Sequence, residues 1–508
     1  MAEDMLDLLD DVLRGHPDRH FDRQAMPEAR WMSAKTICTS PLFAYDPAKP
    51  DGKVLIGTYG SQLLGIRDDR HMLTVAGSRT GKSVAVKNNL FFYDGSVFVL
   101  DPKAEHASDT AAHRARRGQP VFVLDPFGKA TGEAAAFRAR FNPLAGLSLD
   151  SDTTVEDAQL IVDALVMTTG EEKDPHWNES AGAALLGFLL YVRFASDIDD
   201  DDRHLGTVRR LVTSAQRMVR REDDKWDFAM RLRVTRGVAR LAAEGHQDIA
   251  ETVKAAINGL YDKGREEMAS VVSTMNRHTA FLEYKSMRNV LSGHDFDLAD
   301  LKRKEGGVSV YLCLPASRFG SCARWLRIMI NQLIVALEGI AEPPRAPVLT
   351  ILDEFPVLGF MAQLQDAVGQ MASFGMRLWP LLQDWSQGKA LYGERWESFT
   401  ANSSVTLFHG NTDVTTTEYI SRRLGKTPVS TTQIGEPSRA ALAEGQTGQS
   451  VSTALFDLMT PDEIARYFSR ADAFKRQLVL IAGQDPMICQ RVEHWDPNGP
   501  LAPHISSL

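Results

Sequence analysis

The strongest local signal in the sequence is HMLTVAGSRTGKS, residues 71–83. Its first six residues form an apolar run of strand length, and the glycine-rich turn 77–81 follows at once. Lys82 and Ser83 then open a segment with a helical pattern. A strand, a glycine-rich turn and a helix in this order direct backbone N–H groups and the positive end of a helix dipole at one point. The stretch therefore predicts a site for the phosphate groups of a ligand.

The turn fits the Walker A pattern, with Ala76 in place of the usual first glycine. Gly81 lets the backbone approach the phosphates closely. Lys82 is expected to neutralise the β- and γ-phosphates, and Ser83 is expected to ligate Mg²⁺. The alternative is a chance glycine-rich turn, which the flanking strand and helix disfavour. The predicted ligands are ATP and Mg²⁺, and the predicted nucleotide-binding residues are Ala76, Gly77, Ser78, Arg79, Thr80, Gly81, Lys82 and Ser83.

A second signal is the apolar run that ends in Asp353 and Glu354, which fits Walker B. Asp353 would hold the magnesium ion and its water shell, and Glu354 would polarise the attacking water as general base. Gln383 ends the next predicted strand, where its amide could bond the γ-phosphate or that water; the alternative is an ordinary exposed glutamine. The predicted catalytic residues are thus Lys82, Asp353, Glu354 and Gln383, and the predicted metal ligands are Ser83 and Asp353.

Outward from these motifs, short apolar strands alternate with helices before residue 150 and after residue 300, which predicts a parallel sheet covered on both faces. Between them the pattern is almost wholly helical. The predicted fold is α/β, a RecA-like P-loop NTPase sheet domain with a large inserted all-helical domain. Residues 427–453, rich in Ser, Thr and Gly, are predicted to form a mobile loop. The expected divisions are 1–50 for an N-terminal helix and lead-in segment, 51–150 and 301–508 for the two parts of the sheet domain, and 151–300 for the insertion.

Composition restricts the class of protein. The chain has 508 residues, of which 44% are hydrophobic and 24% charged, as in a globular protein. A formal net charge of −9 does not indicate a nucleic-acid binder, but a ring-shaped motor needs positive charge only along its channel. No cysteines have CxxC spacing, so neither a zinc site nor a disulfide framework is indicated. The most apolar run, 181–192, is too short to span a bilayer, so we expect a soluble, cytoplasmic protein. Residues 1–15 are predicted to form an acidic amphipathic helix.

Further blocks of sequence follow in order along the chain. They are EARWMS (28–33), DPKAEH (101–106), VLDPFG (123–128), FNPLAGL (141–147), DPHWNESA (174–181), DEFPVLG (353–359), LQDWSQ (382–387), YGERW (392–396) and LMTPDEI (458–464). With the two Walker motifs, they make the chain resemble the type IV coupling proteins, the TraG-like conjugal DNA-transfer ATPases, from about residue 25 to 495. The resemblance implies a homo-hexameric ATPase ring. It would receive a relaxase–DNA complex or protein substrates and deliver them to a type IV secretion channel, whose ATPases would be partners.

Three features depart from the family's pattern. Members usually begin with transmembrane helices, and none is visible in this sequence. Membrane association would therefore use a partner or a missing anchor. We expect the protein to lie peripherally at the inner face of the plasma membrane. The arginine that the family often carries some eleven residues before the sensor glutamine is Ala372 in this chain. Arg377, Arg422 or Arg423 could reach a neighbouring subunit's phosphates instead. Ala104 replaces a family glycine, which we expect to tighten a turn without affecting catalysis.

DNA contacts are predicted from arginines clustered in the helical insertion, which could bind phosphates without reading sequence. The alternative is a set of solvated helix faces paired with Glu222, Asp223 and Asp224. The candidates are Arg209, Arg210, Arg217, Arg220, Arg221, Arg231, Arg233, Arg236 and Arg240. The predicted function is an ATP-driven DNA translocase and substrate receptor of conjugation. Two alternatives stay open: an ATP-switched recruitment adaptor that binds relaxase or effector proteins without pumping DNA, and a cytosolic DNA pump outside secretion.

Overall fold

A computed structural model describes residues 28–167, 176–434 and 449–505, so the helix predicted for residues 1–15 lies outside the described residues. Most of its strands belong to one large mixed sheet. The strands are β1 Val54–Tyr59, β2 Gln62–Ile66, β3 His71–Ala76, β4 Val97–Asp101, β5 Val121–Leu124, β6 Met218–Arg220, β7 Trp226–Phe228, β8 Ser309–Cys313, β9 Val348–Leu352, β10 Met376–Leu382, β11 Ser403–His409, β12 Lys426–Ile434, β13 Gln449–Asp457, β14 Arg476–Ile481 and β15 Met487–Gln490.

The order of strands across the sheet is β2-β1-β15-β14-β11-β3-β10-β9-β4-β8-β5. The seven strands from β11 to β5 run parallel, and β14, β15, β1 and β2 extend the sheet with antiparallel pairings. Strand β10 lies between β3, which precedes the glycine-rich turn, and β9, which ends at the Asp353–Glu354 pair. Because parallel strands end at the same edge of a sheet, the motifs that follow these three strands meet there.

Helices cover both faces of the sheet. Because successive strand residues point to opposite faces, Leu73 and Val75 pack with the helices that follow β5, whereas Met72 packs with Val86 and Leu90 of the first long helix. The helices are α1 Ala34–Thr39, α2 Lys82–Phe92, α3 Glu105–Arg116, α4 Thr154–Leu165, α5 His176–Phe194, α6 Leu205–Thr213, α7 Ala229–Ala243, α8 Gln247–Tyr261, α9 Arg265–Thr279, α10 Lys285–Ser292, α11 Asp300–Arg303, α12 Phe319–Glu338, α13 Ala362–Ala367, α14 Trp385–Tyr392, α15 Trp396–Ala401, α16 Val414–Leu424, α17 Pro461–Tyr467 and α18 Ala502–Ile505.

Helices α4 to α11 separate β5 from β8, as the helical pattern predicts. The apolar run 181–192 lies in α5, and most of its side chains are buried. The region is not wholly helical, however, because β6 and β7 form an antiparallel hairpin within it. Its connecting turn contains Asp224 in a left-handed conformation, with φ +68°, and joins the Arg221 N–H to the Lys225 carbonyl at 2.7 Å. The domain boundaries stay a prediction.

The prediction of a loop over residues 427–453 is wrong at both ends. Strands β12 and β13 pair antiparallel from Lys426 opposite Asp457 to Ile434 opposite Gln449. Thr and Val recur along both strands, and β-branched side chains favour extended backbone, which outweighs the polar composition. Residues 435–448 lie outside the described ranges. In the ranges that are described, no helix combines the length and the apolarity needed to cross a membrane.

Candidate functional site

Close packing fixes the glycine-rich turn between β3 and α2. A Cβ atom on Gly77 would lie 2.2 Å from the carbonyl oxygen of Gly410, so only glycine fits there. Gly81 has a φ of +104°, which L side chains rarely adopt. The Thr80 hydroxyl donates to the Gly77 carbonyl at 2.6 Å, and the Gly77 N–H donates to the His409 carbonyl at 3.1 Å. The turn is therefore held against the end of β11 before any ligand binds.

Lys82 begins α2 and places its ammonium group inside the turn. The Nζ atom donates to the carbonyl of Ala76 and, at 3.3 Å, to that of Gly77. Burial lowers the pKa of Lys82, and the charges of Asp353 and Glu354 oppose this shift. The site thus contains a cation between the turn and two carboxylates, as a phosphate-binding lysine requires.

Asp353 follows β9 and accepts a hydrogen bond from His106 Nε2 at 3.0 Å. Burial alone would raise the pKa of the Asp353 carboxyl, but His106 and Lys82 hold it below its usual value. Burial alone would lower the pKa of His106, but the charge of Asp101 and the bond to Asp353 raise it. The buried His106 ring thus holds the Asp353 carboxylate through one hydrogen bond, and the charge of Asp101 favours the protonated ring. The sequence motifs do not mark His106 as a site residue, although DPKAEH begins at the last residue of β4 and β4 pairs with β9.

Glu354 and Gln383 meet beside this group. The Gln383 amide nitrogen lies 3.5 Å from Glu354 Oε1, and the Gln383 carbonyl accepts from Asn411 at 3.3 Å. Gln383 is half-buried, so it differs from an ordinary exposed glutamine at a strand end. Glu354 has a φ of +70°, a strained conformation for a residue with a side chain. Such strain occurs where the surrounding structure must aim a functional group.

The chain's oxygen donors fit a magnesium ion. Ser83 is the second residue of α2, next to the lysine, and the Asp353 carboxylate lines the same cleft. Within the described ranges, no group of three His, Cys, Asp or Glu side chains could hold a metal. Mg²⁺ suits such a sparse site, because it is usually bound by one or two protein oxygens together with water and phosphate oxygens. Ser83 and Asp353 are the residues that would hold it.

The cleft has a volume of about 670 Å³ and a second wall that motifs do not reveal. Residues near the C-terminal end of the sequence form this wall, because the sheet order places β14 next to β11 and β15 between β14 and β1. The Arg491 guanidinium donates to the Thr80 carbonyl and so joins this wall to the glycine-rich turn. The wall residues are Arg470, Asp472, Lys475, Gln477, Arg491, Val492, Glu493 and Trp495.

The hypothesis that Arg377 reaches a neighbouring subunit is wrong. Arg377 lies in β10 between two covered faces and is 0% exposed. Arg422 and Arg423 are exposed in the last turn of α16 and stay candidates. Ala104 occupies a turn, with its N–H donating to the Asp101 carbonyl at 3.2 Å, but its φ of +57° is the conformation that favours glycine. The replacement of glycine therefore strains the backbone next to His106.

Most arginines of the helical region have carboxylate partners. Arg209 pairs with Glu283 at 2.7 Å and Arg233 with Asp197 at 2.8 Å, so the partners extend beyond the acidic residues 222–224. The other pairs are Arg210–Asp202, Arg220–Asp224, Arg221–Asp223 and Arg231–Asp262. Arg236 and Arg240 are exposed on α7 and have no ion pair within the described part of the chain. They line an open groove of about 890 Å³ together with Arg220, Arg221 and Arg233.

The strand order and the glycine-rich turn define a RecA-like P-loop NTPase fold with helices inserted between β5 and β8. The chain belongs to the family described as "Type IV secretory system Conjugative DNA transfer", whose profile matches residues 20–500. The predicted fold class and the predicted family are both confirmed.

Individual relatives agree with this assignment. The conjugal transfer protein TraG of Escherichia coli is 27% identical over 412 residues, which are 78% of this chain and 61% of that protein. The type IV secretion system-coupling protein VirD4 of Bartonella quintana (strain Toulouse) is 24% identical, over 84% of this chain and 63% of its own length. The chain thus spans less than two thirds of these relatives' lengths.

A solved structure shares the fold. The plasmid coupling protein TrwB, in complex with ADP and Mg²⁺, superposes with a TM-score of 0.62 over 92% of this chain and 94% of that chain. The sequence identity is 14%, so the likeness concerns the fold alone.

Proposed function

We propose that this chain binds ATP with Mg²⁺ in the cleft and hydrolyses it, and that it acts as a DNA translocase and substrate receptor of conjugation. The observation that carries the proposal is the meeting of Lys82, Asp353, Glu354 and Gln383 where β3, β9 and β10 end. A cation, two carboxylates and an amide at one phosphate-sized turn are the groups that phosphoryl transfer requires.

Each residue has a distinct part in the proposed reaction. The backbone N–H groups of the turn and the Lys82 ammonium bind and orient the phosphates. The Glu354 carboxylate accepts a proton from the attacking water. Gln383, whose amide nitrogen lies 3.5 Å from Glu354 Oε1, orients that water. Ser83 and Asp353 would hold Mg²⁺, which when bound neutralises charge on the phosphate oxygens. His106 keeps the Asp353 carboxylate aimed by its 3.0 Å hydrogen bond.

Family membership and the relatives' names support the biological part of the proposal. The relatives are called conjugal transfer and coupling proteins, and TrwB has been solved with ADP and Mg²⁺. By extension, this chain would assemble as a homo-hexamer with Arg422 or Arg423 reaching the neighbouring subunit's nucleotide. Its partners would be DNA bound without sequence preference, a relaxase, and the ATPases of a type IV secretion channel. It would lie at the inner face of the plasma membrane.

One observation favours a second candidate, the ATP-switched recruitment adaptor. Six of the nine candidate arginines pair with carboxylates, so that within the described residues Arg217, Arg236 and Arg240 of this set are without an ion pair. In this alternative the ring binds relaxase or effector proteins, and slow hydrolysis only changes their affinity.

Steady-state ATP hydrolysis with and without single-stranded or duplex DNA separates the two candidates. A translocase should hydrolyse ATP several-fold faster with DNA, and Lys82→Ala should abolish both rates. Slow hydrolysis that is indifferent to both forms of DNA would contradict translocation and favour the adaptor. Association with a secretion-channel ATPase would then test the conjugative setting against a DNA pump outside secretion.

A further inference from the structure

The segment 491–495 is fixed against the helix that carries the phosphate-binding lysine. The Asn88 side chain on α2 donates to the Val492 carbonyl at 2.9 Å, and its oxygen lies 2.9 Å from His494 Nδ1. Arg491 bonds the Thr80 carbonyl within the glycine-rich turn. These contacts join the segment to the turn at one end and to α2 along its length, so its position in the cleft is set by the fold.

Trp495 ends this anchored segment and lines the cleft. Its side chain is 56% exposed, although burying a tryptophan ring is strongly favourable. The His494 ring packs against it nearly perpendicularly, at 81° with centroids 4.8 Å apart. An exposed indole on a fixed segment is therefore available to a ligand in the cleft.

The two ends of the cleft differ in chemistry. The turn, Lys82 and the carboxylates occupy one part, which suits a phosphate chain and Mg²⁺. Trp495 and Val492 provide apolar surface on the wall from the C-terminal residues, together with Leu55 and Gly57 from β1. A cleft of about 670 Å³ lies in the range for small-molecule sites and can hold a whole nucleotide.

We propose that Trp495 is the stacking platform for the nucleotide base and that it makes the site prefer purine over pyrimidine triphosphates. The proposal rests on the proposed function, since it assumes that the phosphates lie at the glycine-rich turn. Base–aromatic stacking is tolerant of base identity but grows with ring area, so a two-ring purine gains more from the indole than a one-ring pyrimidine. Trp495 is thus a specificity-determining residue.

The test compares Trp495→Ala and Trp495→Phe with Trp226→Ala, a matched control. Trp226 is 64% exposed on the hairpin strand β7 and does not line the cleft. Titration calorimetry with Mg²⁺ would give the affinities of each protein for ATP, for UTP and for inorganic tripolyphosphate. Tripolyphosphate occupies the phosphate end without a base and reports on that end alone.

We expect the wild-type chain to prefer ATP over UTP, and Trp495→Ala to weaken ATP binding by roughly tenfold and remove most of that preference. Trp495→Phe should retain most of the affinity, and tripolyphosphate should bind all variants alike. An unchanged ATP affinity in Trp495→Ala, or an equal loss for ATP and tripolyphosphate, would overturn the stacking platform alone. If the wild-type chain bound neither ATP nor tripolyphosphate, that result would instead overturn the proposed function.

Discussion

The cleft and the arginine-bearing helices α6 and α7 arrange their charged groups in opposite ways. The buried His106 ring bonds Asp353, which lines the cleft, and Lys82 is held by carbonyls of its own turn. On α6 and α7 the arginines lie at the surface, and most pair with a nearby carboxylate. Exposed pairs of this kind contribute little, whereas buried charged groups depend on every partner. Single substitutions should therefore have large effects in the cleft and small effects on the helices.

The largest effect should come from Lys82→Ala. Removal of the ammonium deletes charge-assisted hydrogen bonds to the phosphates, so ATP affinity should fall by roughly a hundredfold or more. Lys87→Ala is the matched control, because Lys87 lies on the same helix but pairs with Asp109 at 2.6 Å. Titration calorimetry should show normal ATP binding for the control. A similar loss in both variants would mean that the lysine acts only through the stability of α2.

The next largest effect should come from His106, one of two histidines on α3. His106→Asn removes the hydrogen-bond partner of Asp353, and loss of a residue that orients a metal ligand commonly weakens metal binding by about ten- to a hundredfold. The Mg²⁺ concentration for half-maximal ATP hydrolysis should rise about tenfold. His113→Asn is the control, since the His113 ring bonds the Phe91 carbonyl at 2.9 Å and does not line the cleft. An unchanged Mg²⁺ requirement in a folded His106→Asn protein would exclude the positioning role.

On the helices, the comparison can be tested with free and paired arginines. Arg236→Ala/Arg240→Ala removes exposed cations without an ion pair in the described residues. If both contact phosphates, the slope of log affinity for DNA against log salt should become shallower by about two. Arg210→Ala/Arg231→Ala removes arginines paired with Asp202 and Asp262, and the slope should change less. Equal slopes for the wild type and the first variant would rule out DNA contact at this groove.

The smallest effect concerns stability. Ala104→Gly should raise the free energy of unfolding by up to about 1 kcal/mol, since relief of the left-handed strain, about 1–2 kcal/mol, exceeds the loss of one buried methyl, about 0.8 kcal/mol. Ala107→Gly is the comparison: Ala107 lies within α3, the helix that follows Ala104, and glycine there should lower the free energy of unfolding. Thermal unfolding would show whether each substitution raises or lowers the stability of the protein. A lower melting temperature for Ala104→Gly would contradict the strain argument.

The sequence predicted those parts of the cleft that depend on contiguous residues. The run from His71 to Ser83 specifies a strand, a turn and a helix locally, and Asp353 and Glu354 end a strand whose apolar pattern is clear. The parallel sheet also followed from alternating strands and helices. These features need only short-range information.

Features that depend on tertiary neighbours were not predictable in the same way. Arg377 sits in a central strand with both faces covered, where periodicity does not reveal which polar side chain is buried. His106 and Trp495 join the site only through the order of strands β4, β9, β14 and β15. The β12–β13 ladder has polar residues that resemble a loop, and cross-strand pairing decides its structure.

The proposed hydrolysis of ATP in the cleft depends on Glu354 as the general base. The most direct test is a comparison of ATP affinity and single-turnover hydrolysis between the wild-type chain and Glu354→Gln, which keeps the shape of the side chain. In Glu354→Gln, ATP affinity should be nearly unchanged and hydrolysis should be slower by roughly 10²–10⁴-fold, because only the proton acceptor is lost. Hydrolysis at the wild-type rate by Glu354→Gln would contradict the claim.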